Sequence, residues 1–177
     1  ESALASYDVA VWFDCDLVIV DPELDFPALT RETSHSLVRH FEANSEVPNS
    51  GVWITTKPVK RLLQRMWELE VFTNHGWWEQ AALMTLMGYS VPPEGSVFQD
   101  TMCRCVHPTE WWHSCQFMRL PYNSHPNYRA KTPRIVHCSY PNMMQRIEVM
   151  DALLGDPAFD YPRYDVREKD SEDDRIP

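Results

Sequence analysis

The chain has 177 residues, 44% of them hydrophobic, which is enough to close one sizeable core. Its formal net charge is −10 with no basic stripe, which excludes a surface built for a polyanion such as nucleic acid. With only 5 glycines, at positions 51, 76, 88, 95 and 155, no Walker or dinucleotide phosphate loop can be written, so kinase and Rossmann readings fail.

The chain begins at Glu1 rather than Met, and is expected to be a fragment, a processed product or a trimmed piece. No apolar run is long enough to span a bilayer and no signal peptide is visible. Residues 10–13 form an apolar, β-favouring run that ends at Asp14-Cys15-Asp16, and 17–20 continue apolar until Asp21-Pro22 stops them. This predicts a buried strand that delivers Asp14 and Asp16 to its end. Asn49-Ser50 reads as a turn into a second buried strand, 51–55. Thr56 can cap a helix with Pro58 in its first turn, and Val59, Leu62, Leu63, Met66 and Leu69 recur at helical spacing. A second helix is expected from about Trp78 to Met87, stopped by Gly88. Further strands are expected at 117–120 and 134–136, the latter ending at His137. Pro141 should open a last helix with Met144, Ile147 and Leu154 on one side and Gly155 closing it. From Asp156 to Pro177 the chain is acidic and aperiodic, which predicts a solvated, disordered tail. Strands alternating with helices indicate an α/β domain.

Four short segments carry the chemistry. In an extended chain Asp14 and Asp16 point to the same side, and two hard oxygen ligands at a strand end suit Mn²⁺ or Mg²⁺. Asp-x-Asp recurs by chance, so its position after a buried run is what counts, because bare carboxylates there are costly unless something binds them. Gly51 permits close approach of backbone to a ligand and Asn49 offers donor and acceptor groups, although a plain turn explains both. In Trp77-Trp78-Glu79-Gln80, Glu79 favours a helix dipole; paired indoles beside an acid and an amide also describe a sugar site. His137 could close the metal site as a neutral imidazole, though a lone His at a strand end is more often a satisfied core residue.

In order, Asp14-Cys15-Asp16, Asn49-Ser50-Gly51-Val52, Trp78-Glu79-Gln80-Ala81-Ala82, Asn123 and Ile135-Val136-His137 resemble the galactosyl/xylosyl/mannosyl-transferase family of GT-A glycosyltransferases. The resemblance covers about residues 7–154 and is most specific at the Trp-Trp-Glu-Gln-Ala-Ala string. It implies a GT-A fold whose N-terminal nucleotide-binding part is truncated or missing here, and a retaining transfer of a hexosyl or pentosyl unit. The donor would be a nucleotide-sugar and the acceptor a glycan or glycoprotein. It implies Mn²⁺ (or Mg²⁺) held by Asp14, Asp16 and His137, with Glu79 and Gln80 as catalytic residues at the sugar. Asn49, Ser50, Gly51, Trp78 and Asn123 would bind donor or acceptor. Members often lie in the Golgi lumen behind a membrane anchor, which would lie outside this chain; a bacterial member would be cytoplasmic. The family's Phe and Gly after the final histidine are replaced here by Cys138 and Ser139.

Two rivals remain open. A haloacid-dehalogenase-like phosphatase would use Asp14 as nucleophile and Asp16 as general acid, but expects Thr where Leu17 stands, and its later acidic pair could only be Asp173-Asp174. A zinc-stabilised binding module could draw on Cys103, Cys105, His107, His113 and Cys115, whose spacing fits no standard finger. With 5 cysteines one stays unpaired in any case; a secretory lumen would allow Cys103 or Cys105 to pair with Cys115. A degenerate glycosyltransferase that binds sugar without turnover is the third alternative.

Overall fold

The computed structural model describes residues 3–30, 33–42, 45–91, 104–126, 128–140 and 142–162. In chain order the elements are α1 (Ala3–Ser6), β1 (Val9–Phe13), β2 (Leu17–Ile19), β3 (His35–Glu42), β4 (Ser45–Thr56), α2 (Lys60–Trp67), α3 (Trp78–Met87), α4 (Glu110–His113), β5 (Cys115–Met118), β6 (Ile135–His137) and α5 (Met143–Gly155). The protein is mixed α/β. It divides into two compact units: Glu1–Asp14 with Leu24–Arg119, and Cys15–Glu23 with Leu120–Pro177.

The first unit is built on a mixed sheet in the order β1-β4-β3-β5, antiparallel except for the parallel pair β3–β5. Leu37 and Trp53 from the sheet, Val59 and Leu62 at α2, and Leu83, Met84 and Met87 from α3 share one core. Helix α2 turns Leu62 inward and leaves Leu63 and Trp67 outward, Trp67 being 89% exposed. Helix α3 buries Ala81, Ala82, Leu83, Met84 and Met87, on more than one face, because its sequence is apolar nearly all round. It ends where expected, at Gly88. That residue has φ +99°, and a Cβ there would stand 1.9 Å from the His107 carbonyl oxygen, so only glycine fits.

Two expectations in this unit are corrected. Asn49 and Ser50 lie inside the 12-residue strand β4 rather than in a turn before it. Strand β3 pairs Leu37 with Trp53 but Val38 with Asn49, so β4 carries extra residues at Ser50, Gly51 and Val52, a bulge that absorbs the local turn character. Thr56 does not cap a helix: its hydroxyl donates to Ser34 O at 2.9 Å, and a 3-10 turn, Lys57–Val59, leads into α2. Strand β3 itself escapes periodicity because His35, Ser36 and His40 are buried polar residues on it. His35 accepts from Trp53 Nε1 at Nδ1 (3.2 Å), and its Nε2–H donates to Trp111 O (2.9 Å). Burial holds this imidazole's pKa below the usual value and thus keeps it neutral, outweighing the bond to Trp111.

The second unit pairs β2 with β6 antiparallel, so 17–19 do not continue β1 but belong to another sheet. Val18, Val136, Cys138, Tyr140, Val149, Leu153 and Tyr161 form its core. Helix α5 is capped by Asn142, whose Oδ1 accepts from Met144 N at 2.9 Å; Pro141 lies outside the described residues. The helix packs through Val149 and Leu153, and the side that carries Met144, Ile147 and Leu154 is exposed. Both stripes are apolar, so spacing alone cannot choose between them. The expected solvated tail is anchored at its start: Tyr161 is buried and its hydroxyl bonds Ser124 Oγ at 2.7 Å. Residues 163–177 lie outside the described residues.

Candidate functional site

In the first unit the β4 bulge meets the start of α3. The buried Ser50 hydroxyl, 2% exposed as a residue, donates to Glu79 Oε1 at 2.9 Å. Ser50 N donates to Gln80 Oε1 at 3.3 Å. Asn49 Oδ1 accepts from Gly51 N at 2.8 Å, and Gly51 O accepts from Asp14 N at 3.0 Å. Asp14 Oδ1 also accepts from Trp12 Nε1 at 2.9 Å. Five of the residues singled out in the sequence, Asn49, Ser50, Gly51, Glu79 and Gln80, are thus brought together. Trp78, first residue of α3, has φ 37° and is 63% exposed. A left-handed, non-glycine residue stores strain that its surroundings must hold, and such residues gather at functional sites. Glu79 itself lies on the exposed side of α3, in its first turn.

In the second unit the β2–β6 register places Leu17 opposite His137, which sets Asp16 beside it; Cys138 N donates to Asp16 O at 2.8 Å, extending the ladder. Asp16 Oδ1 lies 3.2 Å from His137 Nε2, and Asp16 Oδ2 accepts from Arg146 Nη1 at 3.0 Å. Asp16 and His137 are 9% and 6% exposed. Burial alone would raise the Asp16 carboxyl, but the His137 hydrogen bond and the charges of His137 and Arg146 outweigh it and hold it below the usual carboxylate range. The neighbouring Cys138 thiol is pushed up to about 12, first by burial and then by the Asp16 charge. The His125 ring stands edge-on to His137, centroids 5.7 Å apart, and bonds the Ser139 hydroxyl through Nε2. Asn123, expected at a ligand, is fully buried at the end of a 3-10 turn.

Asp14 follows β1 at the end of the first unit's N-terminal stretch and is joined to Asp16 through Cys15, so chain geometry keeps their Cα atoms within about 7 Å. A carboxylate and an imidazole could hold a divalent cation, and this donor set does not select which one. Cys138, next to His137 in sequence, is not part of that group. Sequence reasoning missed Arg146, His125 and Ser139. Arg146 gave no signal, since a helix arginine is ordinarily a solvated cation.

The sulfur-rich stretch shows no comparable set. Cys103 lies outside the described residues, and among the described ones Cys105, His107, His113 and Cys115 gather no metal-holding group. The described cysteines, Cys15, Cys105, Cys115 and Cys138, are all free thiols. Among the described residues no helix is long and apolar enough to cross a membrane. Comparison with protein-family models, curated proteins and solved structures gave no match.

Proposed function

We propose that the protein is a metal-dependent glycosyltransferase of GT-A type, moving a sugar from a nucleotide-sugar donor to a glycan or glycoprotein acceptor. The observation that carries this reading is the pairing of Asp16 with His137, two residues far apart in sequence that were singled out together as cation ligands. Asp14, held near by the chain, supplies a further carboxylate. A bound Mn²⁺ or Mg²⁺ would supply Lewis-acid stabilisation of the departing diphosphate.

The residues of the chain divide the rest of the work. Breaking the bond between the anomeric carbon and the diphosphate oxygen sends the electron pair to the diphosphate and leaves positive charge on the sugar ring. The family resemblance implies Glu79, whose carboxylate accepts from the Ser50 hydroxyl, and Gln80 as the residues at the sugar, where a carboxylate or amide oxygen would meet that charge. Trp78 presents an exposed indole for a sugar face. The acceptor hydroxyl oxygen forms the new bond, and its proton passes to the departing diphosphate.

The phosphatase alternative is less well supported. It needs Asp16 as a protonated general acid, whereas His137 and Arg146 hold that carboxyl ionised. Asp173-Asp174 lie outside the described residues. The deciding experiment measures binding of a nucleoside diphosphate with Mn²⁺ and with chelator, in the unaltered chain and in Asp16→Ala. Mn²⁺ should strengthen binding on the order of tenfold or more, and Asp16→Ala should abolish that gain. Equal binding with and without chelator refutes the proposal.

A further inference from the structure

Arg146 is the residue that no part of the sequence reading anticipated, and its surroundings are unusual for a helix arginine. Its guanidinium is fixed on two sides. Nε donates to Tyr140 O, and Nη1 donates to Asp16 Oδ2 at 3.0 Å. Among the described residues nothing takes Nη2, and the side chain is 31% exposed. An oriented guanidinium with one nitrogen still open to solvent is a preformed anion donor, and it sits on the carboxylate that would hold a cation. Asp16, His137 and Arg146 all belong to one compact unit.

The electrostatics of this trio have a consequence. Without a cation, Arg146 neutralises Asp16. A divalent cation must share Asp16 with that guanidinium and is repelled by it, so Arg146 weakens cation binding taken alone. Once the cation is seated, the charges of Asp16 and Arg146 cancel and the metal leaves the trio doubly positive. An anion carrying at least two negative charges on adjacent oxygens then meets both the metal and the open Nη2. The chain's net charge of −10 makes such an anion unwelcome elsewhere.

We infer that Arg146 turns the Asp16–His137 cation site into a joint cation–anion site, in which a diphosphate-type anion binds across the metal and the guanidinium. Cation alone and anion alone bind weakly; each strengthens the other by the same factor, as linkage requires. The inference rests on the cation reading proposed above and deepens it by naming the group that couples the two ligands.

The test uses the full chain, Mn²⁺ followed by paramagnetic resonance, and inorganic pyrophosphate with Mn²⁺ in excess. Arg146→Met should bind Mn²⁺ alone more tightly, on the order of threefold. The same variant should bind pyrophosphate in the presence of Mn²⁺ more weakly, on the order of tenfold. A structural role would move both affinities down together, and that result overturns the inference. So does a change below twofold in pyrophosphate binding while the unaltered chain binds Mn²⁺ normally. If the unaltered chain binds no Mn²⁺, the cation reading itself falls and takes this inference with it. Should Arg146→Met fail to fold, Arg146→Lys is read instead. It keeps the charge but loses the planar donor fork, so Mn²⁺ affinity stays within twofold and pyrophosphate weakens; unchanged pyrophosphate binding overturns the inference.

Discussion

Removing the Ser50 hydroxyl tests whether the bulge in β4 exists to hold Glu79. In Ser50→Ala the bond to Glu79 Oε1, 2.9 Å long, is lost, while Ser50 N can keep Gln80 Oε1 at 3.3 Å. A hydrogen bond to a charged partner contributes about 1.5–3 kcal/mol when both groups are buried. Here only Ser50 is buried; Glu79 is exposed and can turn to water when its partner goes. The coupling is therefore expected at about 0.5–1 kcal/mol, the range of partly solvated charged contacts. A cycle of Ser50→Ala, Glu79→Ala and the double variant measures it, using urea unfolding followed by tryptophan fluorescence. Turnover reads the same contact more sharply. Nucleoside diphosphate release from a panel of nucleotide-sugars with Mn²⁺ should fall on the order of 10²-fold in Glu79→Gln, which keeps the shape but loses the charge. In Ser50→Ala it should fall on the order of tenfold, because a misplaced carboxylate stabilises the ring less well. Ser50→Thr should restore most of the loss, and nucleoside diphosphate affinity should hold in all three. A coupling below about 0.2 kcal/mol together with unaltered turnover refutes the reasoning, and the cluster is then packing.

Gly88→Ala should destabilise by about 3 kcal/mol or more, since φ +99° is strained for alanine and its Cβ would meet His107 O at 1.9 Å; urea unfolding checks it. At pH 8 an alkylating reagent followed by mass spectrometry should label Cys15, which is exposed, long before Cys115 and Cys138. Burial pushes both of those thiols up to about 12, so at pH 8 they hold about one thiolate in ten thousand. Tyr161→Phe should cost about 1 kcal/mol through the lost bond to Ser124 Oγ, and Tyr161→Ala about 3–5 kcal/mol through the emptied core site; a milder Ala variant would show that the segment is not anchored there.

How much was legible depended on how local each cause is. Helix α3 and its stop were readable because a run of apolar residues ending at Gly88 states its own boundary. Strand β1 was readable as a strand for the same reason, being a short apolar run that ends in Asp14, but its burial was not: Trp12 is 56% exposed and its other residues are half-buried. Strand β3 was not readable, because its buried His35 and Ser36 are satisfied by groups elsewhere in the fold, and polarity in the sequence carries no mark of that satisfaction. The inward face of α5 was not legible, since Met144, Ile147 and Leu154 repeat as helically as Val149 and Leu153 do.

By itself the sequence determined the chemical inventory: an acidic chain, carboxylates at a strand end, an acid and an amide opening an apolar helix, and a histidine closing a short strand. Those are properties of neighbours along the chain, written in adjacent residues. Only the tertiary structure decided which of them meet. The antiparallel register of β2 on β6 sets Asp16 against His137, the bulge in β4 puts Ser50 under Glu79, and α5 brings Arg146 onto the far oxygen of Asp16. Each contact joins segments distant in sequence, and its geometry depends on strand register and helix packing, which one-dimensional spacing does not encode.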